Sequence, residues 1–209
     1  AILGVAESVG LPALGLGTFF VLVVAPVEEG VKLLAVRLHA FNDVRFDAVV
    51  DGAIYGAIAG LGFATIENAV YVTGAIGDGG TTALATGGTI ATVRALAGPG
   101  HVIYSAFAGY YLGLAKFNAE DAGPIVVKGL LIGSILHASY NLIVSFVPEL
   151  LGSVLGVAPI VAIFAVVIVY DGLLLWILFR KLRTYRQAYQ ATRAVDDSPR
   201  GVAATEFDP

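Results

Sequence analysis

The chain alternates long apolar stretches with short polar ones, a pattern typical of a protein that crosses a membrane several times. A helix needs about 20 apolar residues to cross a bilayer core of roughly 30 Å. Five stretches reach that length: residues 11–38, 47–76, 81–117, 124–147 and 156–179. We therefore predict an all-α fold, a polytopic integral membrane helix bundle with about five or six transmembrane helices.

The third stretch, residues 81–117, differs from the others in composition. Its first half is rich in Gly, Ala and Thr, and its second half is more strongly apolar. Gly98, Pro99 and Gly100 lie between the two halves, and a proline inside a helix removes one backbone hydrogen bond. We predict one bent crossing, or a shallow segment followed by a crossing, with the helix broken near Pro99.

Composition narrows the class of protein. Charged residues make up 13% of the 209 residues, whereas soluble domains carry about 25%. The net charge of −4 gives no basis for nucleic-acid binding. The chain has no cysteine, which excludes disulfides and cysteine-based metal sites or nucleophiles. These observations favour an integral protein of the cell membrane, surrounded by the lipid bilayer.

Basic residues mark alternate loops, and the basic loops of membrane proteins lie in the cytoplasm. They flank the first and third predicted loops and follow the last apolar stretch, at Arg37, Arg45, Lys116, Lys128, Arg180, Lys181, Arg183 and Arg186. We predict that residues 1–185 form the transmembrane bundle, with the N-terminus outside. Residues 186–209 then form a cytoplasmic C-terminal tail, which we expect to be partly disordered because its end is polar and contains Pro and Gly.

Ionisable side chains recur within the apolar stretches, where they are costly to bury and usually functional. Side chains four residues apart share a helix face. Four stretches contain such a pair: Glu28 with Lys32, Glu67 with Tyr71, His101 with Ser105, and His137 with Asn141. At 1.5 Å per residue, the four faces fall within about 10 Å of one level near the membrane midplane. The pattern predicts one polar cavity inside the bundle.

These residue types suit acid–base and hydrolytic chemistry. Glu28 and Glu29 are adjacent, and two buried carboxylates in contact do not both stay ionised cheaply. A protonated carboxyl beside an ionised one is an acid–base arrangement. Two histidines and a third glutamate polarise a carbonyl, hold an oxyanion or bind a metal. No Ser–His–Asp group stands out and no HExxH zinc motif is present.

Several of these residues also fit purely structural roles. In one interpretation Glu28 and Lys32 form a plain ion pair between helices, and each histidine is an interhelical hydrogen-bond partner. We interpret Asp51 as a helix cap or an ion-pair partner near the first loop. We interpret Arg94 as a partner of Asp78 or as a side chain that reaches outward to the membrane surface.

Four segments resemble, in order and spacing, the PrsW family of intramembrane proteases. They are APVEEGVKLL, FDAVVDGAIYGAIAGLGFATIENAVY, GPGHVIYSAFAGYYLGLAKF and LHASYN, and they lie within residues 25–141. The family belongs to the wider superfamily of CAAX prenyl endopeptidases and bacteriocin-processing or immunity membrane proteins. Members usually have further N-terminal spans, so we expect this chain, which has no methionine, to be truncated.

The resemblance implies an intramembrane endopeptidase that acts on membrane-bound protein or peptide substrates. The founding activity of the family is site-1 cleavage of a transmembrane anti-sigma factor. The family's functional positions fall on the paired glutamates, a third glutamate and two histidines, with a further polar residue one turn on: Glu28, Glu29, Glu67, His101, His137 and Asn141.

The resulting mechanistic hypothesis uses all six residues. Glu28 acts as the general base on a water, and Glu29 tunes Glu28 or anchors its helix. A divalent metal, expected to be Zn, is held by Glu67, His101 and His137. Without a metal, the same three residues share water activation and oxyanion stabilisation. Asn141 supports these residues or donates to the oxyanion. Two histidines and one carboxylate with an open position are a catalytic zinc pattern.

Two other functional classes stay open on the sequence. A proton-coupled transporter or channel would also need acidic groups near the midplane, although we find none of the internal repeats common in transporters. A non-catalytic membrane-binding or immunity-type protein would keep the fold without the chemistry, but it would not need all of these glutamates and histidines.

Overall fold

The computed structural model describes residues 13–78 and 83–196, and every regular element among them is helical. The elements in chain order are α1 (Ala13–Phe19), a π-helical turn (Phe20–Val24), α2 (Ala25–His39), α3 (Val49–Asp78), α4 (Ala83–Lys116), α5 (Ala122–Leu155) and α6 (Pro159–Asp196). The predicted all-α helix bundle is confirmed.

Three of the described helices, α3, α5 and α6, are long and apolar enough to cross a membrane. Large apolar side chains on the outer faces of α5 and α6 are exposed, including Ile135, Trp176 and Phe179, as expected of surfaces that contact lipid. The other two predicted crossings correspond to α1–α2, which contains the π-helical turn, and to α4. These two segments carry the charged residues Glu28, Glu29, Lys32 and Arg94, which lower their apolar character.

Helix α4 is the central helix of the bundle. Most of its second half is buried, and α2, α3, α5 and α6 all pack against it. The helix runs unbroken through Pro99, so the predicted break near this residue is wrong. Tertiary packing supplies most of the stability of a helix in a protein. Here the neighbours hold α4 along its length, which outweighs the one hydrogen bond that Pro99 cannot donate.

Glycines bring α3 and α4 into close contact. Gly52, Gly56 and Gly60 are spaced four residues apart on α3 and face the backbone of α4. A Cβ atom at Gly56 would overlap a carbonyl oxygen of α4, and one at Gly60 would overlap the carbonyl oxygen of His101. Small residues at this spacing allow helix backbones to approach closely. The contact therefore places His101 directly beside α3.

The loop between α2 and α3 is tied down by polar contacts. Asp51 Oδ2 accepts hydrogen bonds from the backbone N–H groups of Asp47 and Ala48, at 3.0 and 2.7 Å, which agrees with the predicted capping role. The Arg45 guanidinium hydrogen-bonds the carboxylate of Asp43 and holds the pKa of that carboxyl well below its usual range. Lys116, at the end of α4, donates to a carbonyl oxygen of the same loop at 2.5 Å.

Helix α6 continues past the predicted end of the transmembrane bundle at residue 185 and remains helical to Asp196. The division into a bundle (1–185) and a tail (186–209) stays a prediction. The disorder that we expect after Asp196 falls on residues 197–209, which lie outside the described residues.

We predict that Gly56→Leu lowers the melting temperature of the detergent-purified protein, because the added side chain meets the backbone of α4. Overpacking of a tight interface costs about 1–3 kcal/mol. Gly62→Leu is the matched control, since Gly62 lies on the same helix and an added Cβ would meet no atom within 4 Å. A Gly56→Leu protein as stable as the Gly62→Leu control would contradict the close contact.

Candidate active site

Glu29 is the best-connected carboxylate of the site. It is fully buried on α2, and its Oε1 accepts a hydrogen bond from Lys32 Nζ at 2.7 Å. The Nδ1 atom of His137, on α5, lies 3.1 Å from the same oxygen. Ser105 Oγ, on α4, donates to Oε2 at 2.9 Å. A single side chain therefore joins α2, α4 and α5.

Glu28 lies in a different environment from its neighbour. Its Oε2 atom is buried and has no hydrogen-bond partner among the described residues. His137 Nε2 lies 3.7 Å from this oxygen, and Lys32 Nζ lies 4.0 Å from it. Lys32 therefore contacts Glu29 more closely than Glu28, with which it shares the predicted helix face. One carboxylate of the pair is saturated with hydrogen bonds, and the other presents an open oxygen.

The partners of His137 define the role of each of its ring nitrogens. Because a carboxylate only accepts hydrogen bonds, Nδ1 carries the hydrogen and donates it to Glu29. The neutral imidazole then presents the lone pair of Nε2 toward Glu28. A carboxylate that holds the far nitrogen of a histidine is the usual support of a metal-binding imidazole.

His101 is held between two charged groups. Its Nδ1 lies 2.8 Å from Lys32 Nζ, and its Nε2 lies 3.0 Å from Glu67 Oε2. An ammonium group has only donors, so Nδ1 accepts from Lys32 and Nε2 donates to Glu67 in the neutral imidazole. Lys32 also lies 4.2 Å from the centre of the Phe63 ring, which packs beside His101. These contacts fix His101 on the face of α4 that meets α2 and α3.

Arg94 is the site residue that the sequence analysis missed. Its Nη2 donates to Glu67, its Nε donates to Asn68 Oδ1 at 2.8 Å, and its guanidinium stacks on Tyr71 at 4.3 Å. The sequence suggests a contact with Asp78 or an outward orientation, whereas the side chain points into the bundle. The spacing of the two residues could have indicated this role. Residues 94 and 101 lie two helical turns apart, and so on the same face of α4, which lines the cavity.

A cavity of about 490 Å³ collects these groups. Five of the six predicted site residues line it, namely Glu28, Glu67, His101, His137 and Asn141. Glu29 lies behind them as their support. The remaining wall is largely apolar and includes Phe20 and Val24 of the π-helical turn. A mostly apolar cavity with a few convergent polar groups is typical of a ligand or substrate site.

One group of described residues has the geometry of a metal site: the ligand atoms of Glu28, His101 and His137 lie within 4.8 Å of one another. The donor types of this set, one carboxylate oxygen and two imidazole nitrogens, are those of a zinc site. To ligate a metal, His101 would exchange one of its two hydrogen bonds, to Lys32 or to Glu67, for the metal. The unpartnered Oε2 atom of Glu28 is one of the available ligand atoms. Glu67, the third ligand of the sequence hypothesis, contacts Arg94 and His101.

Comparisons with known proteins agree on one family. A family model described as PrsW family intramembrane metalloprotease matches residues 4–170. Proteins named Protease PrsW are 34% identical over 135 residues in Bacillus subtilis (strain 168), covering 63% of this chain and 57% of that protein. The relative in Shouchella clausii is 30% identical over 120 residues, which cover 57% of this chain and 51% of that protein. The relative in Clostridioides difficile is 34% identical over 119 residues, which cover 56% of this chain and 48% of that protein. The chain thus spans about half the length of these curated relatives. No solved structure matches the chain.

We predict that Arg94→Ala and Glu67→Ala each lower the melting temperature more than the double variant does. Removal of one partner leaves the other charge buried and unpaired, which costs about 3–5 kcal/mol in a fully buried pair and less in this partly exposed one. The control is Arg45→Ala, which breaks an ion pair at its exposed partner and should change the melting temperature little. Additive losses in the double variant would show that the two side chains do not stabilise each other.

Proposed function

Because the chain belongs to the PrsW family of intramembrane metalloproteases, we propose that it is an endopeptidase that hydrolyses peptide bonds of membrane-bound substrates in the cavity between its helices. The observation that carries the proposal is the difference in hydrogen bonding between the two adjacent glutamates. Glu29 is saturated with hydrogen bonds, and Glu28 presents an open oxygen beside two histidines.

The charges in and directly behind the cavity support a metal-dependent mechanism. Three carboxylates (Glu28, Glu29 and Glu67) face two basic side chains (Lys32 and Arg94) among the described residues. Uncompensated charge in a region of low dielectric constant is costly, and a divalent cation would offset it. A zinc ion held by Glu28, His101 and His137 would make a bound water nucleophilic at neutral pH and would polarise the scissile carbonyl.

The protein's own groups have separate roles in the proposed reaction. Glu29 holds His137 in the tautomer that points Nε2 toward Glu28, and Lys32 orients His101. The Glu67 carboxylate accepts the proton of the attacking water and passes it to the leaving amine, while Arg94, which holds its Oε2, keeps the carboxylate oriented. The amide of Asn141 donates to the carbonyl oxygen as negative charge develops on it.

This assignment exchanges the roles of two glutamates relative to the sequence hypothesis, in which Glu67 is the ligand and Glu28 the base. The exchange is supported by the contacts of Glu67, because a carboxylate already bound to Arg94 and His101 is less available to a metal than the open Oε2 of Glu28.

The proposed substrates are proteins anchored in the same membrane. The site lies between helices whose outer faces are apolar, so a transmembrane segment reaches it more readily than a soluble peptide does. Site-1 cleavage of a transmembrane anti-sigma factor or a similar regulator, which the resemblance implies, fits this location. The basic residues at the end of α6, Arg180, Lys181, Arg183 and Arg186, support a cytoplasmic C-terminus.

We predict near-stoichiometric zinc in the purified protein, measured by elemental analysis. Glu28→Ala and His137→Ala should each lose most of the metal, because each removes one of three protein ligands. Glu67→Ala should retain it. His39→Ala is the control, since this exposed histidine hydrogen-bonds its own helix backbone. Loss of zinc in Glu67→Ala together with retention in Glu28→Ala would return the ligand role to Glu67.

We predict that the wild-type protein in liposomes cleaves a co-reconstituted, fluorescently labelled transmembrane peptide. Glu28→Ala and His137→Ala should reduce kcat/KM by at least about a thousandfold, which corresponds to about 4 kcal/mol of lost transition-state stabilisation. Both variants should remain monodisperse in detergent. Full activity in either variant would refute the site assignment. Solute flux through the same liposomes without any cleavage would favour a transporter.

A further inference from the structure

Two lysines from different helices lie beside one tyrosine ring, at the end of the bundle that we expect to face the cytoplasm. Lys128 Nζ, on α5, lies 5.6 Å from the centre of the Tyr111 ring, and Lys181 Nζ, on α6, lies 5.0 Å from it. Lys181 Nζ also lies 5.1 Å from the centre of the Tyr110 ring. Both rings belong to α4 and are buried. Three helices therefore build one group of residues, the basic cluster, which consists of Lys128, Lys181, Tyr110 and Tyr111.

Close packing of the helices places the two lysines. Gly129, the residue after Lys128, is buried, and a Cβ atom at this position would overlap the side chain of Tyr111. The backbone of α5 therefore lies directly against that tyrosine. Leu182, the residue after Lys181, packs against the buried cluster that contains Tyr111, which holds α6 beside the same ring. The position of each ammonium group is thus a property of the packed bundle and not of a loose surface side chain.

No carboxylate balances the positive charge of the basic cluster within the part of the chain that the structure describes. Neither Lys128 nor Lys181 belongs to any of the ion pairs found there. Glu120 and Asp121, which precede α5, are exposed and pair with neither lysine. The face of Tyr111 attracts each ammonium group, but two like charges at one ring repel each other. A bound anion would offset this repulsion.

The position of the basic cluster favours a lipid as the source of that anion. Lys128 directly precedes residues 129–147, which contain no Asp, Glu, Lys or Arg, and Lys181 closely follows the predicted span 156–179. Both lysines therefore lie at the edge of the hydrocarbon core. One helical turn deeper on the same helix faces, Leu131 and Ile177 are exposed. Basic pockets between transmembrane helices on the cytoplasmic side are typical sites for anionic headgroups.

We propose that the basic cluster binds an anionic phospholipid, whose phosphate accepts hydrogen bonds from Lys128 and Lys181 and whose acyl chains contact Leu131 and Ile177. None of these residues lines the cavity of the proposed active site, and Lys128 lies roughly 14 Å along α5 from His137. The bound lipid joins α5 to α6 and stabilises the packing of both on α4. This site does not depend on the proposed peptidase activity.

The first test measures the melting temperature of the full chain in a neutral detergent with added lipid. A ligand that binds only the folded protein raises this temperature. We expect phosphatidylglycerol to raise it by at least about 3 °C, and phosphatidylcholine or inorganic phosphate at the same concentration to have little effect. No rise with phosphatidylglycerol would overturn the proposal. An equal rise with phosphatidylcholine would show that the headgroup charge is not recognised, and an equal rise with inorganic phosphate would indicate a site for a free anion. Either result would overturn the assignment to an anionic lipid.

The second test compares two double variants that each lose two positive charges from the same end of the bundle. Lys128→Gln/Lys181→Gln removes the basic cluster, whereas Arg183→Gln/Arg186→Gln removes two exposed arginines of α6 that stack on no ring among the described residues. Native mass spectrometry counts the phosphatidylglycerol bound during a titration. The lysine variant should bind this lipid at least about tenfold more weakly than the wild type, and the arginine variant within about threefold. Equal loss in both variants would indicate diffuse attraction and would overturn the proposal.

Further variants separate lipid binding from folding. Lys128→Arg/Lys181→Arg keeps both charges and their donors, so it should retain most of the rise in melting temperature with phosphatidylglycerol. Where the double glutamine variant does not fold, Lys181→Gln beside Arg183→Gln makes the same comparison with one charge removed from one helix. We expect only Lys181→Gln to weaken binding of phosphatidylglycerol, by at least about threefold. Wild-type affinity in Lys181→Gln would overturn the proposal.

Discussion

The geometry of the site depends on the complete burial of one carboxylate, Glu29. A buried carboxylate is tolerated only when donors surround it, and here they come from Lys32, Ser105 and His137 on three different helices. The contact with Lys32 lies within α2, but those with Ser105 and His137 form only when α2, α4 and α5 have packed. Burial of Glu29 is costly unless all of these donors are in place. Its need for them therefore specifies how the three helices pack together.

The adjacent carboxylate, Glu28, gains its function from that arrangement. A helix turns about 100° per residue, so two neighbouring side chains cannot face the same surroundings. Because Glu29 takes the saturated position between helices, Glu28 is directed to the cavity with an unpartnered oxygen. Two residues of identical chemistry thus acquire different roles. One organises the protein, and the other is available to a metal or a substrate.

Helix α4 carries the contacts that connect the rest of the site. Glycines let α3 approach its backbone closely, which brings Glu67 within reach of Arg94 and His101. On the side facing α5 and α6, Tyr104 stacks on His137 and belongs to a buried cluster that includes Val167 and Leu174 of α6. Because α4 is unbroken at Pro99, Arg94, His101 and Tyr104 keep fixed positions relative to one another along the helix.

The sequence by itself determined the helical class, the long apolar segments and the polar faces that line the cavity, because these follow from local composition and from helical spacing. It also indicated Glu28, Glu67, His101, His137 and Asn141 as neighbours, since buried ionisable groups in a membrane must gather. Whether they act as proposed stays a prediction.

Only the tertiary structure decided which side chains contact each other. It gave Glu28 and Glu29 different surroundings, turned Arg94 inward to Glu67 and kept α4 continuous at Pro99. Each of these outcomes depends on which helix faces share an interface. Periodicity along one helix defines its faces, but it carries no information about the rotation of a neighbouring helix, and that rotation decides which charge meets which.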